Sequence, residues 1–303
     1  MIVDYHRSVL VLLAWQWRAL VTYAVIASVM VGTEIFTAWN WLAIPGVPLT
    51  VLGGAIGIFV SFRTNSCYDR WWEGRRLLGQ LVNVSRHFAT QTMCYVDGAS
   101  APLRAVQEAL VKRHVGYVHM LRCQLRGHEP ARDEAVVRYV DAAELEASAD
   151  EPNPCHWLLH RQTRAIVALR STDAIDGWRL QLFDRSIAVL LDVQGGCERI
   201  KKTPFPQSYG FLATKLIAVY AALLPLGMVD AAGWLAVPIT VLVCLAFRLI
   251  DEVGDALEDP FSLQPLALPL SAITTAIEME LGRRLGERRL PDAPAPNEEG
   301  VLM

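Results

Sequence analysis

No two cysteines form a CxxC pair, no serine sits in a GxSxG turn, and no glycine-rich run has the spacing of a phosphate-binding loop. Dithiol redox chemistry, acyl transfer through a nucleophile elbow and nucleotide hydrolysis therefore have no motif to rest on. Charge is scarce at 19% of residues, and 28 basic against 31 acidic side chains leave a net charge of -3. No basic stripe interleaved with aromatics marks a soluble face, so nucleic acid is not an expected partner. The cysteines at 67, 94, 123, 155, 197 and 244 are scattered and fall mostly in the segment assigned below to the cytoplasm. They read as reduced thiols. The N-terminal stretch MIVDYHRSVLVLLAWQWR has no small-residue cleavage site, so its apolar run is expected to stay as an anchor.

What the chain does have is apolarity in long blocks. From Ile44 to Phe62 there is no charge, enough helix to cross about 30 Å of hydrocarbon. Arg63, Asp69, Arg70, Glu73, Arg75 and Arg76 follow at once, and after Pro48 no proline interrupts before Pro102. One rod is expected to leave the bilayer and enter the cytoplasm. Along it Gly54, Ile58, Phe62 and Arg70 recur at spacings of four or eight, which keeps them near one helical face able to line a pore. Gly53, Gly54 and Gly57 also suit close helix packing, and the two readings are compatible.

Three further spans are predicted. The first covers Leu10 to Ile35, with Trp15 and Trp17 at one end, Trp39 and Trp41 beyond the other, and Arg18 and Glu34 as interfacial charges. The third follows TPFPQSYGF and breaks near Pro225 and Gly227; the fourth, GWLAVPITVLVCLAF, ends at Arg248. Loops 36–47 and 228–234 contain no lysine or arginine, whereas the other flanks are arginine-rich. Both termini and the large middle segment are thereby assigned to the cytoplasm. The expected fold is all-α: spans one and two in 1–62, a cytoplasmic helical region in 63–202, spans three and four in 203–257, and a cytoplasmic C-terminal segment in 258–303 with a disordered tail after Pro291. Breaks are expected near Gly98 to Pro102 and at EPNP (151–154). Residues 133–151 read as a solvated acidic helix face or loop, and 155–200 as one long helix or a pair.

Two clusters could carry chemistry. His156 and His160, beside Cys155, have a spacing that can ligate a metal from one helical face, but no glutamate follows His156. Ordinary helix histidines are the simpler reading, and no metal or cofactor is assigned. His114 and His119 do not share a face. The carboxylates Asp251, Glu252, Asp255, Glu258 and Asp259 trail the fourth span near helical spacing. The simpler reading is a solvated, arginine-paired exit from the membrane. Repeated about a symmetry axis, Asp251, Asp255, Glu258 and Asp259 would instead make a negative ring that attracts cations.

The run Phe62-Arg63-Thr64-Asn65, with Tyr68, Arg70-Trp71-Trp72-Glu73 and Arg75, resembles the bestrophin family in its bacterial branch. So do CERIKKTPFPQSYGFLATKLIAVYAALLPLG and GDALEDPFSLQPLALPL, in the same order along most of the chain. The resemblance implies a homopentameric channel for monovalent inorganic ions in the bacterial inner membrane, its neck lined by the second helix at Gly54, Ile58 and Phe62. Gly54 departs from the bulkier apolar residue common there. A cytosolic constriction is implied between Ile200 and Phe205, at Ile200 or alternatively Thr203. Animal members hold calcium in an acidic cluster after an Asn-Pro-Phe turn; here Asp259-Pro260-Phe261 is followed by SLQPLALPL, which has no acid, so calcium activation is not expected. Chloride and other anions are favoured narrowly over monovalent cations. A non-conducting scaffold or signalling protein, and a membrane enzyme using the His156 region, are the rivals.

Overall fold

A computed structural model describes residues 16–37, 44–96, 100–297 and 300–302. Eleven α-helices lie among them: α1 Trp17–Thr37, α2 Gly46–Tyr95, α3 Ala101–Arg126, α4 Glu134–Tyr139, α5 Ala142–Ala149, α6 Pro154–Ser171, α7 Gly177–Lys202, α8 Gln207–Leu226, α9 Val229–Ala232, α10 Ala236–Glu258 and α11 Leu270–Leu285. No strand occurs among the described residues. Four segments are long and apolar enough to cross a membrane: α1, α2, residues Ser208–Leu226 and residues Val229–Glu258. The chain divides into two compact units, one of residues 5–71 and 204–259, the other mainly of 72–203 and 260–303. The 50-residue helix α2 supplies both, in keeping with the single rod expected from its unbroken pattern.

In the first unit α1, α8 and α10 pack together with the N-terminal half of α2. Tyr23, Ile56, Val60, Ile217, Tyr220 and Cys244 form its buried centre. Large apolar side chains point outward as well: Val25 is 56% exposed and Phe36 81%, the inverse of a water-soluble surface and the normal state of one that faces lipid. Pro225 sits in the last turn of α8, where its missing N–H and its ring end the helix, and Gly227 caps it. Trp17 lies at the start of α1 with the Arg18 guanidinium 5.6 Å from its ring centre; Trp15, Trp39 and Trp41 lie outside the described residues. Glu34, near the other end of α1, is 8% exposed.

The second unit is built on α3, whose Leu110, Tyr117, Met120, Leu121 and Leu125 are at most 1% exposed. Helices α4, α6, α7 and α11 pack around it. The acidic stretch 133–151 resolves into α4 and α5, capped by the Asp133 and Asp141 side chains. Residues 155–200 resolve into the pair α6 and α7: Asn153 caps α6 and Pro154 opens it, and a break with Asp173 in a left-handed conformation precedes the Asp176 cap of α7. The expected break at Gly98 lies outside the described residues. After α11, residues 291–297 have no regular structure and Val301 is 2% exposed.

Candidate ion pathway

Within the first unit, α2 carries two seams of opposite character. Gly53, Ile56, Val60, Arg63 and Cys67 are buried, at steps of three and four residues. Such steps keep one stripe of a helix turned toward its neighbours. On the other face Val51 is 68% exposed, Ile58 62% and Phe62 70%, and nothing lies within 4 Å of where a side chain at Gly54 would begin. The glycines therefore divide their work. Gly53 faces the Tyr220 ring, and a Cβ on Gly57 would meet Phe247 at 3.4 Å, so both serve close packing. Gly54 belongs to the open seam with Ile58 and Phe62.

Phe59, between the two seams, stacks on Tyr209 with centroids 5.7 Å apart, and Tyr209 meets Phe205 edge-on at 5.3 Å. Phe205 is thus a half-buried member of an aromatic group in the first unit. In the second unit Ile200 is 3% exposed and Thr203, just past the end of α7, is exposed. Of the three residues considered for a cytosolic constriction, Ile200 is turned into its own chain and Thr203 is turned out.

The trailing carboxylates are mostly not a free acidic surface. Asp251 is fully buried and paired with Arg63 and, at 3.3 Å, with Arg248. Asp255 pairs with Arg63, Glu258 reaches it at 3.4 Å, and Glu252 lies 3.5 Å from Arg248. Asp259 is half-buried at the end of α10. Of the four carboxylates of the expected negative ring, Asp251 is sealed from solvent and paired, so it contributes little to a cation-attracting field, whereas Asp255 stays exposed beside its arginine and Glu258 and Asp259 are half-buried. The arginine-paired exit is what the side chains build. Sequence reading grouped Arg63 with the charged rod; the three-and-four step from Ile56 and Val60 lands on it and marks it as buried.

In the second unit Glu198 is the hub of a polar network. It accepts from Gln194 at 2.7 Å, Asn153 at 2.8 Å and Gln124 at 3.0 Å. Burial opposes its charge, yet these amides and Lys202 hold its carboxyl below the usual range. Arg199, next to Glu198 in sequence, pairs with Glu73. His156 and His160 lie on α6 along a cleft of about 460 Å³ that also contains Trp157, Arg161 and Arg164. The arginines there disfavour a bound cation.

Comparison with known proteins extends these observations. Residues 2–283 match the family model described as Bacterial/Fungal Bestrophin protein. The voltage-dependent anion channel-forming protein of Mesorhizobium japonicum is 32% identical over 240 residues, covering 79% of this chain and 75% of that relative. That of Ralstonia nicotianae is 31% identical over 265 residues, 84% of each chain. The crystal structure of a bacterial bestrophin homologue from Klebsiella pneumoniae superposes with a TM-score of 0.83 at 24% identity, covering 89% of this chain and 98% of that one, a match of fold.

Proposed function

Because the chain belongs to the bacterial and fungal bestrophin family, we propose that it forms an ion channel in the bacterial inner membrane, a homopentamer passing chloride and other monovalent anions. One observation carries the reading: α2 keeps a continuous apolar seam at Val51, Ile58 and Phe62 exposed while its opposite seam is buried in the bundle. Repeated about an axis, that seam makes a narrow apolar neck, with Gly54 contributing no side chain and Ile58 and Phe62 the narrowing. Such a constriction conducts when it is wetted and closes when it dries. An ion crossing it sheds part of its water, and the positive edges of the Phe62 rings favour an anion at that step. The names of the Mesorhizobium and Ralstonia relatives support the same sign. The buried pairing of Asp251 with Arg63 and Arg248 takes one carboxylate after the fourth span out of any attraction for cations.

The two external turns, both termini in the cytoplasm and a second constriction between Ile200 and Phe205, at Ile200 or alternatively Thr203, complete the reading. Its test is the reversal potential of the purified protein in a planar bilayer under a tenfold KCl gradient. A reversal near the chloride equilibrium potential is expected; one near the potassium potential, or no current, refutes it. Ile58→Ala and Phe62→Ala are each expected to raise unitary conductance, and unchanged currents in both remove the neck.

A further inference from the structure

The buried seam of α2 contains one charge in the first unit. Arg63 is 3% exposed, whereas its neighbour Phe62 is 70% exposed, about a third of a helical turn apart. Its guanidinium donates to the Asp251 carboxylate and, at 3.3 Å, to the Asp251 carbonyl. It also donates to the Asp255 carboxylate and, at 3.4 Å, to that of Glu258. Asp251 is gripped from another side by Arg248 at 3.3 Å and faces the Thr214 hydroxyl at 3.5 Å.

The slot is cut to the guanidinium. A Cβ at Gly210 on α8 would lie 2.9 Å from Nη2 and 3.2 Å from Cζ; one at Gly254 on α10 would lie 3.6 Å from Nη1. Beside it the Thr64 hydroxyl donates to the Ile250 carbonyl at 3.0 Å, and the Gly254 Cβ would come within 3.2 Å of that hydroxyl. Two glycines and three carboxylates converge on one side chain, and a second arginine holds the most buried of those carboxylates. Filling a seam position needs none of this; an apolar residue would do it without desolvating a charge. The arginine adds direction. An apolar side chain slides against its neighbours, but a planar fork bonded at several fixed angles resists rotation of the helix that carries it.

We propose that Arg63 is the positioning residue of the neck: its clamp on Asp251, Asp255 and Glu258 holds α2 at the rotation that turns Ile58 and Phe62 out of the membrane bundle. Loosening the clamp changes conductance while every neck side chain stays the same. The inference rests on the neck reading above, and the experiment separates the two.

Unitary currents are recorded from full-length channels that elute at the wild-type assembled size, for Arg63→Gln, Arg63→Lys, Gly210→Ala and Phe62→Ala. Gly210→Ala keeps every charge and only displaces the guanidinium, so it decides the matter if Arg63→Gln fails to assemble. Arg63→Gln and Gly210→Ala are expected to change unitary conductance by about twofold or more, and Arg63→Lys, which keeps the charge without the fork, by less. A merely structural role predicts lower melting temperature or yield with wild-type unitary conductance, and that result overturns the clamp. If Phe62→Ala raises conductance while Gly210→Ala and Arg63→Lys leave it unchanged, the neck stands and the clamp falls. If Phe62→Ala also changes nothing, the neck reading fails and takes the clamp with it.

Discussion

One buried ionisable side chain from each unit shows two opposite means of burial. In the membrane unit Arg63 and Asp251 go into the interior charged and paired. In the other unit His114, 1% exposed, goes in neutral: it stacks on Phe88 with centroids 5.0 Å apart and lies 6.0 Å from the Tyr117 ring. Burial there lowers its pKa from 6.5 to about 3. A guanidinium cannot give up its proton, so it must be matched by carboxylates. An imidazole can, and the core is built around the uncharged form. The outer surfaces are inverted too, with valines and Phe36 outward in one unit and charged residues outward in the other.

Removing one partner tests the paired case hardest. Asp251→Ala leaves Arg63 without its buried counter-charge and is expected to destabilise the detergent-solubilised protein by about 3–5 kcal/mol in denaturant titration. A loss below 1 kcal/mol would mean that Asp255 and Glu258 suffice. The neutral case is tested by acid. The unfolded chain binds a proton at His114 below pH 6.5 and the folded chain does not until about pH 3. Stability is therefore full above pH 6.5 and falls as pH drops through that window, by about 2 kcal/mol at pH 5 from this residue alone. His114→Leu is expected to flatten the decline between pH 7 and pH 5, and an unchanged slope would show that other groups cause it. The smallest effect sharpens the contrast of surfaces: Val25→Ala, on the outward face of α1, is expected to shift stability by less than about 0.5 kcal/mol. A larger loss would place that face against protein rather than lipid.

Much of the architecture could be read from the residues. The four spans and the long rod follow from charge-free runs and the lack of proline, and α2 ends at Tyr95, near the expected break. The open seam of Gly54, Ile58 and Phe62 was visible as a spacing. What spacing could not give is partnership. Nothing local in Asp251 distinguishes it from Asp259, yet one is sealed with Arg63 across 188 positions of sequence and the other lies half-buried at a helix end. Ile200 and Thr203 differ in the same way, since a helix terminus turns successive side chains in and out according to what packs beneath it. Glu34 reads as interfacial from its place near a span's end, and its burial is visible only in the fold.

Cysteine burial has a practical consequence. All six thiols are free, and only Cys94, near the end of α2, is exposed. Burial pushes the Cys123 and Cys197 thiols up to about 12 and raises that of Cys155, which keeps them in their unreactive protonated form at neutral pH. Cys67 and Cys244 are enclosed within the membrane unit. A maleimide dye applied to the native protein therefore finds one address per chain. Each fluorophore bleaches in a single step, so the steps seen from one particle count its subunits without a tag or an engineered residue.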